Sequence, residues 1–385
     1  MRTQKLLFIL ITIGIILFVG CGKKEGTKTY DIIKKDGVDI YVNKKKPSDT
    51  TATLTLKHVL TISGDVDVKD STRMFNAIED LEIDSKGNVF LFEARKGKIL
   101  KFDKEGNYII SFGKLGNGPG EFPFAFDFVM LNDTLYVKSF PNKQMVRFDN
   151  KGKYLENITY TSGGLVIGEI LRSIANRNVV GYINTTEEKD GTMYFGNNLV
   201  LMNNKFEELV ILRDYNIKYD PNNIKYYESV TKFTSGDGKI FVGENDESGY
   251  RINVFDMNGK KIQQIKNNYA RLEYNEHELA KIKTLNLQVN GEPLAEKKSY
   301  KKSINDLFYD KYGRLLVCSS IKRTEENQKD FIVDIYKDGV YLNTTKVEKL
   351  IGEDYVQRFD SRMYFSGDKV HDIVIGEAKV SIYTY

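Results

Sequence analysis

The side chains with the strongest claim to chemistry sit in short polar loops rather than in a spaced catalytic motif. Arg95 and Lys96 follow an apolar run, Glu121 lies in the glycine-rich stretch 116–122, and Lys143, Tyr250, Arg251 and Arg323 recur at comparable points further along. Glu93, Lys138, Asn245 and Asp360 fall at similar positions. Guanidinium groups grip carboxylates with two parallel hydrogen bonds, ammonium groups act as point charges, and tyrosine offers an apolar face with a polar tip. Such a set suits a carboxylate, carbohydrate or peptide ligand. A second set, Glu79, Asp80, Asp127, Asn305, Asp306 and Asp360, offers oxygen atoms that could hold a divalent cation. Nothing in its spacing singles it out, so we assign no metal ligand, no cofactor and no catalytic residue. The three histidines, His58, His277 and His371, lie on separate segments, and no His/Cys spacing matches a zinc site. There is no Gly-x-Ser-x-Gly elbow. The stretch 116–122 lacks Gly-Lys-Ser/Thr and runs from strand to strand, so it reads as a crossover with Phe122 or Phe124 packed between sheets, not as a phosphate cradle.

Loops so far apart in sequence need a scaffold that gathers them, and the repeats supply one. Residues 83–122 hold three β-branched and aromatic runs separated by Asp84-Ser85-Lys86-Gly87 and Asp103-Lys104-Glu105-Gly106. In such turns the Asp carboxylate caps the backbone and Gly supplies a positive φ. The run ILKFD at 99–103 returns as MVRFD at 145–149, LVLMN at 199–203, INVFD at 252–256, VDIYK at 333–337 and VSIY at 380–383. Each copy follows a strand pair with its own turn, and most steps are about 45–55 residues. Four strands, six times, predict an all-β six-bladed β-propeller. The sixth copy lacks a fourth strand, and residues 55–64 match the missing one, so an N-terminal strand closes the last blade. Residues 37–42 read as a further peripheral strand. Between copies four and five, an insertion at about 273–303 contains Asn275-Glu276-His277-Glu278, a helix N-cap followed by an acidic third residue, then Leu279, Ile282 and Leu285 at helical spacing. It predicts a short helix over about 276–287, followed by a turn at 291–293. Cys318 lies in an apolar run and reads as an inert core thiol.

The pattern Asp84-x-x-Gly87-Asn88-Val89-Phe90, with Ile99-x-Lys101-Phe102-Asp103-x-x-Gly106, is similar to NHL-type repeats. The 116–122 loop and the 299–315 stretch resemble those of the six-bladed β-propeller lipoproteins abundant in Bacteroidetes. That resemblance implies the fold and an envelope location, and little about activity. Other six-bladed propellers, of gluconolactonase type, bind a divalent cation at the channel mouth, which makes a metal-dependent hydrolase or lyase the alternative function.

The N-terminus points the same way. Arg2 and Lys5 precede an apolar run at 6–19, which as a helix would span about 21 Å, short of a bilayer core of ~30 Å. Phe18-Val19-Gly20-Cys21 resembles a bacterial lipobox. The resemblance implies a signal peptide at 1–20, lipidation at Cys21, a polar tether at 21–29 and the propeller at 30–385, held in the cell envelope at the outer membrane. The formal charge is only +4, and losing Arg2 and Lys5 would halve it. A balance so close to neutral argues against a nucleic-acid partner. The expected function is a membrane-anchored, non-enzymatic binding or scaffold module recognising a protein or carbohydrate at the channel mouth.

Overall fold

Among the described residues, the first five repeats turn on a carboxylate or amide that folds back on its own backbone. Asp84 Oδ1 accepts from the amides of Lys86 (3.0 Å) and Asn88 (2.8 Å), and Asp103 Oδ1 from Glu105 (3.0 Å) and Asn107 (2.8 Å). Asp149, Asp256 and Asp310 repeat the device. In the third repeat Asn203 replaces the aspartate, and Phe206 takes the positive φ (+62°) that glycine takes elsewhere. Its ring is fully buried beside Tyr136, and that packing offsets the backbone cost.

In the computed structural model these turns organise six antiparallel sheets into a β-propeller. The structure describes residues 28–64, 73–139, 142–160, 172–174, 178–218, 230–244, 249–276, 278, 288–289, 292–293, 300–327, 330–351, 361–374 and 378–385. The first strands of the six blades are Asp80–Ile83, Ala125–Leu131, Arg172–Ile174, Phe233–Gly236, Ile304–Tyr309 and Ser361–Ser366, and they surround the axis. Among the described residues the core divides into six buried clusters, one at each seam between neighbouring blades. Cys318 is one of them, fully buried. Blade three carries a longer hairpin than the repeat predicts, Asn178–Lys189 with Thr192–Met202, turned at Asp190-Gly191 with both φ positive.

Blade six is closed by Lys57–Ser63, which pairs antiparallel with Lys379–Thr384. The chain upstream does more than the expected single peripheral strand. Tyr30–Lys35 and Val38–Asn43 form a hairpin whose second strand adds in parallel to Lys261–Asn267, the outer strand of blade four. Gly37 lies in its turn. The chain then crosses blade five, where Lys45 Nζ meets the buried Asp334 (2.8 Å) and the amides of Ser48 and Asp49 bond to Leu342 O. Ala52, Leu54 and Leu56 fill the seam between blades five and six. Asn43 pins this strap: its amide donates to Lys266 O (3.1 Å) and Gly339 O (3.0 Å) and its carbonyl accepts from Tyr341 N (2.8 Å). Asn43→Ala would take a partner from the buried Gly339 O and Tyr341 N and from the part-buried Lys266 O. We expect a loss of about 2–3 kcal/mol, read by equilibrium urea unfolding.

In the insertion, Asn275 and Glu278 cap each other reciprocally, Glu278 N to Asn275 Oδ1 and Asn275 N to Glu278 Oε2, both 2.9 Å. Glu276 and Glu278 are helical, while His277 and residues 279–287 lie outside the described residues. Where a turn was expected, Gln288–Val289 pairs with Glu292–Pro293 across it. Residues 1–27, with the expected signal peptide and Cys21, also lie outside the described residues.

Candidate functional site at the channel mouth

In blade one the loop between the second and third strands and the crossover to blade two emerge on one face. These are the 3-10 turn Ala94–Lys96 and residues 113–124. The two loops touch: a Cβ on Gly97, whose φ is +63°, would lie 2.7 Å from Leu115 N. The glycine is therefore needed for both its backbone angle and its size.

The 116–122 crossover is locked from within. Lys114–Leu115 pairs in parallel with Glu121–Phe122, and Phe122 is buried between blades one and two against Phe92 (6.2 Å). Glu121 curls back, accepting from Gly118 N (3.1 Å) and from Lys114 Nζ (2.8 Å). Lys114, then the Gly118 amide, hold its carboxyl below the ordinary value. Phe124, by contrast, is 52% exposed.

Around this crossover lies a cationic rim. Arg95 projects with 85% of its side chain exposed, 3.9 Å from Glu79 Oε1. Lys96 Nζ meets the buried Glu93 (2.8 Å), and Lys98 Nζ donates to Met74 O (3.0 Å). Glu93 also accepts from Asn76 N (3.1 Å), and Glu79 from Ala94 N (2.7 Å). Burial, with the neighbouring Glu93 charge adding to it, raises the Glu79 carboxyl against the opposing pull of Ala94 N and Arg95. Met74 and Leu115 are exposed between these cations. The structure thus brings Arg95, Lys96 and Glu121 together and adds Lys98, Lys114, Met74 and Leu115.

The other expected ligand residues divide. Lys143 is exposed at the matching loop of blade two with a positive φ. Arg251 opens the third strand of blade four. Tyr250 is buried in the seam between blades four and five, 6.1 Å from both Tyr269 and Tyr336, and burial raises its hydroxyl well above the ordinary value. Arg323 is buried and donates to Asn327 O (2.7 Å) and Asp330 O (2.8 Å), so it braces its own loop. Lys138 is buried; Asn245 and Asp360 lie outside the described residues.

Below the rim, the axis holds a charge cluster. Asp80, Asp127 and Asp306 each accept the amide of the following residue (2.9, 3.0 and 3.0 Å). Arg172 enters from blade three, its guanidinium 3.5 Å from Asp80 Oδ2, donating to the Tyr364 hydroxyl (3.1 Å) and stacked 5.0 Å from that ring. Tyr364 in turn donates to Asp80 Oδ1. Burial alone would lower the Arg172 guanidinium. Tyr364, Asp80, Asp127 and Glu82 outweigh it and hold the group above its ordinary value. Burial, reinforced by Asp80, pushes the Glu82 carboxyl up to about 8 against the pull of Arg172. Among the described residues no three His, Cys, Asp or Glu converge, and Asn305 is engaged with Ser320 Oγ (2.8 Å). Asp80 and Asp127 therefore face an arginine rather than a common point with Asn305. Arg172, Glu82 and Tyr364 were not singled out from sequence. The available signal was their place on first strands, since a charge facing a closed axis needs a partner.

Residues 70–220 match the model of the DUF5128 family, described as a 6-bladed beta-propeller. The chain matches no curated protein. It is similar to the crystal structure of a DUF4221 family member from Bacteroides vulgatus, at 13% identity and a TM-score of 0.49, covering 86% of this chain and 97% of that one. It is also similar to a Bacteroides fragilis protein described as exported (10% identity, TM-score 0.48, 90% and 99% covered) and to virginiamycin B lyase from Staphylococcus aureus (10%, 0.39, 80% and 95%). At these identities the likeness is one of fold.

Proposed function

We propose that this protein is a lipid-anchored envelope lipoprotein, carried on Cys21 at the outer membrane, whose propeller binds a partner protein on the channel-mouth rim of blades one and two. The observation that carries the binding reading is the rim itself: Arg95, Lys96, Lys98 and Lys114 around exposed Met74 and Leu115. Arg95, Lys96 and Lys114 each already lie beside a carboxylate, Glu79, Glu93 and Glu121, so the rim is a set of positioned ion pairs around an apolar centre, which suits a peptide segment that presents both charged and apolar side chains. The anchor reading rests on residues 2–21 of the sequence. The reading assigns no catalysis: Arg172 pairs with Asp80, one of the carboxylates on which the hydrolase alternative would draw.

Full-length protein in intact cells tests both parts. Cys21→Ala should move it from the membrane to the soluble fraction, and continued attachment would sink the anchor. A photo-crosslinking residue at Leu115 should give one discrete adduct that Arg95→Glu with Lys96→Glu abolishes. Adducts of equal yield from Lys104, in a turn on the opposite face, would remove the rim from consideration.

A further inference from the structure

Blade four is complete in its own four strands, yet the chain adds two more outside them. The outermost, Tyr30–Lys35, has no buried side chain, and Ile32 and Ile33 are 50% and 53% exposed. Its inner edge pairs with Val38–Asn43, while its outer edge pairs with no described strand. It is thus a row of backbone donors and acceptors flanked by two isoleucines that contribute nothing to the ring. We propose that this edge is where a second copy of the chain docks, strand against strand and antiparallel about a two-fold axis, so that one sheet runs through both molecules.

Symmetry restricts the register. A two-fold axis perpendicular to a sheet preserves faces, so residues placed opposite one another must be an even number apart in sequence. Centring on Ile33 sets it against its own copy and sets Asp31 against the partner's Lys35, twice. Unlike charges directly opposite are favourable and like charges are not. Lys35 has no ion pair among the described residues, whereas Lys34 is held within the hairpin by Asp39 (3.6 Å). Asp31 is half exposed between Lys44 (2.9 Å) and the exposed Lys28 (3.5 Å), and its two oxygens keep lone pairs for a further donor. Centring on Ile32 would set Asp31 against an isoleucine and leave Lys35 unmatched. The outer strand of blade five, Val340–Ile351, also sets unlike charges two apart, Lys346 and Glu348, but Lys346 is held by Asp330 (3.0 Å), Val347 between them is buried and the strap already bonds to Leu342 O. The remaining outer edges lack the property. Tyr108–Phe112 has no charged residue, Lys57–Ser63 has no acidic one and Tyr154–Thr159 no basic one. In Glu208–Arg213 the two charges are an odd number apart, so a two-fold axis cannot oppose them.

The test is oxidative cross-linking of the full chain in membranes. Ile33→Cys should give a covalent dimer that reductant dissolves, and Ile109→Cys, on the outer strand of blade one, should not. Asp31→Lys or Lys35→Asp added to Ile33→Cys should each lower the yield about fivefold. The two together should restore it, since the charges are then exchanged across the interface. The proposal is overturned if Ile33→Cys links no better than Ile109→Cys, or if the double charge exchange stays as low as the single changes. It is also overturned if a fluorophore attached at Ile33→Cys is quenched by nitroxide-labelled lipid, which would assign the edge to the bilayer surface. None of these readouts depends on the rim or on its partner.

Discussion

Arg172→Ala should cost about 3–5 kcal/mol of folding stability at neutral pH, measured by equilibrium urea unfolding. The guanidinium is reached from four blades: it comes from blade three, Asp80 and Glu82 from blade one, Asp127 from blade two and Tyr364 from blade six. Asp80 is fully buried, and its charge is held there by Arg172 and the Tyr364 hydroxyl together with the Leu81 amide. Truncating the arginine leaves that carboxylate in a poorly solvated place, and the penalty of an uncompensated buried charge exceeds the worth of the pair itself. The same logic gives a control. Asp80→Asn in the Arg172→Ala background removes the stranded charge and should recover a substantial part of the loss. If it recovers nothing, the cost is one of packing, and the electrostatic account of the channel is wrong. Arg172→Lys should fall between, since an ammonium keeps the charge but loses the flat contact with the Tyr364 ring.

The ring was legible because its signals are local. An Asp-x-x-Gly turn acts within five residues, as the Asp84 and Asp103 bonds show, and a strand's alternation is visible in a short window. The closure of blade six was legible for the same reason, since Lys57–Ser63 has the same pattern as the other fourth strands. The parallel addition of Val38–Asn43 to blade four was not, because it joins residues more than two hundred positions apart through side chains such as Asn43 that carry no local pattern. At the mouth, loop membership could be read from strand order, which placed Arg95, Lys96 and Glu121 on one rim. Side-chain direction could not. Tyr250 and Arg323 sit in equivalent loops but point into a seam and back into their own loop, a choice made by packing across blades. Glu82 and Arg172 depend on contacts among four first strands and have no local signature at all.

Glu82→Gln should change how stability varies with pH. Glu82 lies two residues from Asp80 on the same strand and so faces the same way, toward Arg172. Its carboxyl keeps the proton up to about pH 8 in the folded protein, against an ordinary value of 4.5. Between those values the folded state binds more proton than the unfolded chain. Its contribution is therefore complete below about pH 4.5 and is lost as pH rises through about 8. Glutamine imitates the protonated acid. The variant should match wild type near pH 5 and be more stable near pH 8.5, with the gap opening steadily between. His371 would confuse a single curve: burial and the nearby Lys369 lower it to about 4, so its contribution is lost as pH falls from its ordinary range toward that value. The difference between variant and wild type cancels that term, because His371 is the same in both. In an Arg172→Ala background the Glu82 carboxyl loses the main charge pulling it down, so the decline should still begin near pH 4.5 but run on to a higher pH. A variant already less stable than wild type near pH 5, and by the same margin near pH 8.5, would mean that Glu82 is ionised in the folded channel and paired with Arg172.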